Sequence, residues 1–110
     1  MNKTEQANIN SSVEAIFDNA VKEVYKVISN TNPVRLRSCS AVVFETEHYY
    51  VLRSYNTFVA CIRKDTDTLY DALRFVYGYT NTSAQHISKF NHDYCNGYWG
   101  CEHVLTWRQI

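Results

Sequence analysis

The window 92–103 holds half of the chain's four cysteines and half of its four histidines, as His92, Cys95, Cys101 and His103. Two thiols and two imidazoles, folded back on a turn bracketed by Gly97 and Gly100, are a donor set that a small structural zinc site uses. His92 and Cys95 stand three apart near the end of an expected helix and project from one side of it. Cys101 and His103 stand two apart where a strand is expected to begin, again sharing a face. With four protein donors no coordination position is left for an activated water, so zinc here is expected to be structural. The H-x2-C-x5-C-x-H spacing is not that of a common finger or ribbon. Two other readings fit the same residues: Cys95 and Cys101 as small buried hydrophobes, or as a disulfide.

Other chemistry is weakly signalled. The only glycines are Gly78, Gly97 and Gly100, and none opens a helix as a phosphate-binding loop requires. No nucleophile-elbow, zinc-protease or kinase motif occurs. His86 with Ser83, or with Cys39 or Cys61, is the nearest approach to a base and nucleophile. Ser83 is more simply a first-turn helix residue and Cys61 a core-strand residue. The paired acids Glu45/Glu47 and Asp65/Asp67 read as surface and capping residues. No enzymatic activity is expected.

These residues need a scaffold, and 110 residues suffice for one domain. Hydrophobic content of 45% fits a globular fold and excludes a disordered chain. No apolar run approaches the roughly 20 residues of a membrane span, and the polar residues 1–10 are not a secretory leader. A flexible lead over 1–10, a domain over 11–110 and a cytoplasmic location are therefore expected, in a reducing compartment that favours free or metal-bound thiols.

Ser11 with Glu14 makes a capping box, and Val13, Phe17, Ala20, Val24 and Tyr25 belong to one apolar stripe, predicting a first helix that ends before Pro33. Segments 41–46, 48–53 and 57–63 are rich in β-branched and aromatic residues and predict an antiparallel meander. A second helix is expected over 68–77, from a capping relation of Thr68 with Asp71 and from Gly78 at its end. A third helix is expected from Thr82 through Phe90, then a last strand over 103–107. The predicted fold is α+β in the order αβββααβ, a mainly antiparallel sheet with helices on one face and a zinc-bound C-terminal knuckle.

Eleven acids balance eleven bases, which argues against both a nonspecific nucleic-acid binder and an acidic mimic of DNA. Segment 34–64 nevertheless carries five bases, Arg35, Arg37, Arg53, Arg63 and Lys64, against two acids. Nine Tyr, five Phe and two Trp exceed what a core this small needs. Tyr, Trp and Arg concentrate binding energy at protein interfaces and also stack nucleic-acid bases, so Arg53, Tyr55, Tyr98 and Trp99 are the expected partner-binding residues.

The stretches Leu52–Ala60 and Leu69–Phe90 carry a resemblance, most specific in Tyr55, Asn56 and Thr57 and from Tyr77, Gly78 and Tyr79 to Phe90. Residues 49–90 resemble short uncharacterised proteins carried by phages and mobile elements of Gram-positive bacteria. That family assigns no reaction, and its resemblance reaches neither the first helix nor the His/Cys window. It implies a context: small proteins of such elements are often inhibitors of host defence, among them anti-CRISPR proteins. The expectation is a non-enzymatic inhibitor, in the host bacterial cytoplasm, of a type II CRISPR effector nuclease. A small nucleic-acid-binding protein using the basic 34–64 sheet is the alternative.

Overall fold

A computed structural model of the chain describes residues 2–30, 32–37, 40–72, 81–95, 101 and 103–108. Helix α1 spans Lys3–Val27, and its N-cap is Asn2, whose side chain accepts the Glu5 N–H at 2.8 Å. Ser11 is thus an interior helix residue and not the cap, and most of the expected flexible lead is helical. The buried positions Gln6, Asn10, Val13, Phe17, Ala20 and Val24 alternate steps of four and three, one continuous stripe along the helix. Its first two members are polar, which is why hydrophobic periodicity starts the helix too late. Tyr25, counted in the stripe from sequence, lies outside it and is 63% exposed.

Six strands follow in spatial order β1 to β6: Val34–Arg35, Ala41–Glu45, Tyr49–Ser54, Thr57–Arg63, Thr68–Asp71 and His103–Thr106. The first five pair antiparallel with their sequence neighbours, and β6 joins β5 in parallel. Helix α2, Asn81–Tyr94, lies within the connection between those two strands, as a parallel pairing requires. Thr68–Asp71 is therefore a strand and not the start of a helix, Ala72 continues out of it with its amide donating to Val59 O, and residues 73–77 of the expected second helix lie outside the described residues. The physical reason is tertiary: Leu69 and Tyr70 suit a pleated surface and pair on both sides, with β4 and β6. The Thr68 hydroxyl donates to Thr66 O at 3.3 Å instead of capping a helix.

The two helices among the described residues cover opposite faces of the sheet, a correction to the single covered face expected from sequence. Val13, Phe17, Ala20 and Val24 of α1 pack on Phe44, Val51, Cys61 and Tyr70. Ile87 and Phe90 of α2 pack on Val43, Leu52, Val59, Ala60, Ile62 and Leu69. A sheet covered twice needs apolar residues at consecutive positions, and the unbroken buried run Val59 to Ile62 supplies them. A bulge adjusts the register: Leu52 faces Ala60 but Arg53 faces Phe58, so Val59 is the extra residue and packs beside Ala60 toward α2.

Candidate partner-binding face

On the α1 side of the sheet an aromatic chain approaches the surface. The Phe44 and Phe58 rings are tilted together at 5.7 Å, and Tyr25 from the last turns of α1 meets Phe58 edge-on at 6.0 Å. Arg53, one strand position past the inward-facing Leu52, lies over Phe44 with its guanidinium carbon 5.2 Å from the ring centroid. Among the described residues, Arg53 Nε is the one buried side-chain nitrogen or oxygen without a hydrogen-bond partner. Beside this group a groove of about 430 Å³ runs between α1 and the start of β4, lined by Phe17, Val21, Lys22, Tyr25, Thr57 and Phe58, among others.

Tyr55 does not join Arg53. It occupies the first position of the two-residue β3–β4 turn with φ of 55°, a left-handed conformation that such turns usually give to glycine. Its amide donates to Ser40 O at 2.8 Å, and its ring, 57% exposed, lies 5.8 Å from His86 on α2. The two residues are neighbours in sequence but contact different groups, Phe44 of the sheet for one and α2 for the other. Tyr98 and Trp99 lie outside the described residues. Tyr25 and Phe58, which join this face through Phe44, were not singled out from sequence. The helical wheel held the signal, because Tyr25 directly follows buried Val24 and cannot share its direction.

The basic character of 34–64 is largely cancelled in three dimensions. Arg37 forks onto Asp93, with Nε to Oδ2 at 2.8 Å and Nη2 to Oδ1 at 2.7 Å. Arg63 pairs with Asp65 at 2.8 Å. Lys64 pairs with Glu45 at 2.7 Å, donates to Thr46 O at 2.7 Å and lies over the Tyr50 ring. Three of the five bases are thus engaged by acids.

On the α2 side the structure brings His86 and Ser83 together through Ser54, which sequence reasoning did not single out. Ser54 Oγ lies 2.8 Å from His86 Nδ1 and 3.0 Å from Ser83 Oγ. Ser83 and His86, one turn apart on α2, face the last residue of β3. Burial, with a smaller contribution from the Lys89 cation, holds the imidazole below its ordinary pKa. A hydroxyl beside a neutral imidazole has the form of a nucleophile and its base. Here Ser54 and His86 are each 3% exposed, so the cluster is sealed and acts as a polar pin between α2 and the hairpin.

In the C-terminal window Cys95 and Cys101 are paired as a disulfide with Cα atoms 5.0 Å apart. Asn91 Oδ1 accepts the Cys101 N–H at 2.7 Å and lies 3.3 Å from Cys95 Sγ. Among the described residues the donor atoms that converge are those of Asp67, Cys95 and Cys101, all within 4.8 Å of one another. His92 Nδ1 instead lies 3.1 Å from Asp93 Oδ1 and 3.4 Å from Arg37 Nη2. His103 is exposed at the start of β6, in register with Thr68. The two histidines of the expected zinc set therefore stand apart from the cysteine–aspartate group. No helix among the described residues is long and apolar enough to cross a membrane.

Family models, curated proteins and solved structures contain no match to this chain. Function must accordingly be read from the geometry just described.

Proposed function

We propose that this chain is a non-enzymatic protein-binding domain that works by occlusion, with the Tyr25–Phe58–Arg53 face as its docking surface. The observation that carries the reading is Arg53. Its guanidinium is stacked on Phe44, and its Nε is removed from water without an acceptor. A buried donor left unserved costs about 1–3 kcal/mol, a cost that a residue with a purely structural role has no reason to retain. A stacked, orientationally fixed Arg beside an exposed Tyr and an apolar groove has the composition of an interface hot spot, whose ordering cost is met before a partner arrives. The ion pairing of Arg37, Arg63 and Lys64 weighs against nucleic acid as the primary partner.

The resemblance read from the sequence of residues 49–90 alone, to small phage and mobile-element proteins, directs the first choice of target, a type II RNA-guided nuclease in the bacterial cytoplasm. The test is DNA cleavage by the purified nuclease, with this protein added before guide, after guide and after target DNA. Inhibition near stoichiometric ratios, lost on Arg53→Met or Tyr25→Ser, supports the reading, and the order dependence identifies the blocked step. Cleavage that is unaffected in every order removes this target. Direct, steeply salt-sensitive binding of DNA or RNA would instead favour the nucleic-acid alternative.

A further inference from the structure

We propose that the reduced chain binds one borderline-soft divalent cation, of the zinc class, through the Cys95 and Cys101 thiolates and the Asp67 carboxylate, and that formation of the Cys95–Cys101 disulfide closes this site. The three donors come from separate parts of the fold. Asp67 lies in the β4–β5 turn, Cys95 directly after α2 and Cys101 just before β6. Asp67, 28 residues before Cys95, is brought within 4.8 Å of the two cysteines by the parallel β5–β6 pairing and the helix that precedes β6.

The distances suit an ion. Two sulfurs bound to one tetrahedral zinc are about 3.8 Å apart, given Zn–S bonds of about 2.3 Å, and a carboxylate oxygen sits slightly closer. The two sulfurs are bonded to each other in the structure, so on reduction they must part by about 1.8 Å to reach that arrangement, and the Asp67 carboxylate already lies within 4.8 Å of both. The supporting groups are in place as well. Asp67 holds φ of 51°, which turns the chain sharply just before Thr68 enters the strand. Asn91 Oδ1 anchors the Cys101 amide and, in the dithiol form, accepts the Cys95 S–H, so one side chain orients both cysteines.

Redox state decides between the two forms because the same sulfur atoms serve both. Reduction adds two electrons and two protons to the disulfide, supplied by a thiol or phosphine reductant that is itself oxidised. The cation then displaces the two thiol protons and offsets the repulsion between two thiolates and a carboxylate. Oxidation runs in the opposite sense, since a disulfide sulfur carries no charge to bind a metal. The histidines assigned to zinc by sequence spacing have no part in this set, which gives the proposal a sharp alternative.

The test is anaerobic titration of the full chain, in a Cys39→Ser background, with cobalt as the zinc probe. Cys61 is fully buried, and burial raises its thiol pKa far above the ordinary value, so it does not compete. The reduced protein is expected to take up one cobalt with a near-ultraviolet thiolate charge-transfer band that zinc bleaches, and the oxidised protein to show none. Asp67→Asn should keep the band but weaken affinity by more than about 10-fold, the lower end of what losing even a supporting group costs. His92→Ala and His103→Ala should bind as the parent does. Absence of the band in the reduced parent, with no metal retained in native mass spectrometry, overturns the proposal. So does an Asp67→Asn variant of unchanged affinity, or a comparable loss on removing either histidine. The oxidised form of each variant, compared by circular dichroism, shows whether a loss reflects misfolding.

Discussion

The two faces of the sheet carry the same motif in two states of completion. Toward α2, Phe90, Tyr94 and Tyr50 follow one another at 5.5 and 5.2 Å, and the cation over that chain, Lys64, donates to both Glu45 and Thr46 O. Toward α1, Phe44, Phe58 and Tyr25 form an equivalent chain, but its cation, Arg53, has a desolvated nitrogen without an acceptor, and its terminal ring is largely exposed. An aromatic–cation group can therefore be finished within this fold, and one face is finished. The proposed docking role draws on the open state of the other face.

The largest expected effect tests whether the faces differ energetically as they do geometrically. Phe90 is fully buried, so Phe90→Ala should cost about 3–5 kcal/mol in denaturant unfolding. Phe58 keeps part of its ring in solvent, and Phe58→Ala should cost clearly less. Equal losses at the two positions would erase the distinction between a closed and an open face.

Next in size is the polar pin of the closed face. Removing one member of the Ser54–His86–Ser83 cluster strands a buried partner, and Ser54→Ala should cost about 1–3 kcal/mol. The pin also gives the fold a pH dependence of defined sign. The folded state holds the His86 pKa below its ordinary value of 6.5, so the unfolded chain protonates first as pH falls. The stability tied to neutral His86 is complete above about 6.5 and is lost as pH drops toward the depressed folded value. Thermal melts of the parent from pH 8 to pH 5 should show this loss, and a His86→Gln variant should not. Parallel curves for the two proteins would show that His86 is not the titrating group.

These comparisons also mark what sequence could supply. The meander was legible because Val, Ile and aromatic residues cluster between short polar joints, and the sheet follows that pattern closely. Its second covered face was implicit in the unbroken apolar run Val59 to Ile62, which a one-sided sheet would interrupt with polar residues. The start of α1 was hidden because Gln6 and Asn10 are buried for polar reasons. Gln6 donates to Thr106 O, and Asn10 donates to Arg108 O and accepts the Arg108 N–H. Such a role depends on β6, about a hundred residues away, and no local periodicity reports it. The split of Arg53 from Tyr55 escaped for a similar reason, since it turns on a left-handed backbone at a residue type that normally avoids it.

The open face should respond in the opposite sense from the closed one. Arg53→Met removes the desolvated Nε and keeps an unbranched side chain over Phe44. The lost cation–π contact, about 0.5–1 kcal/mol, is set against relief of an unserved donor of about 1–3 kcal/mol. The variant should therefore be as stable as the parent or more stable by about 1 kcal/mol, while partner binding is lost. Urea unfolding decides it: a clear destabilisation would mean that Arg53 is a structural residue and that the open face needs another explanation.

The smallest effect lies at the exposed end of the closed face, where Asp93 in the last turn of α2 meets Arg37. The Arg37 hydrogen bonds, outweighing partial burial and aided by His92, hold the Asp93 carboxyl at about 2, against an ordinary value of 3.8. Its side chain keeps 28% of its exposure and that of Arg37 keeps 47%, so solvent discounts the pair to the range of surface ion pairs, about 0.2–1 kcal/mol. The sign follows from the lowered value: the contribution is complete above pH 3.8 and disappears as pH falls through about 2. Asp93→Asn should thus lie slightly below the parent in stability at neutral pH, and the gap should close in that acid window and narrow in high salt. His86, in the second turn of α2, and Asp93, in its last, anchor one helix at a sealed and a wet site, and their titrations fall in separate pH ranges. A gap at Asp93 as large as that from Ser54→Ala would show that both ends of α2 are held equally, and that the closed face does not depend on its buried pin.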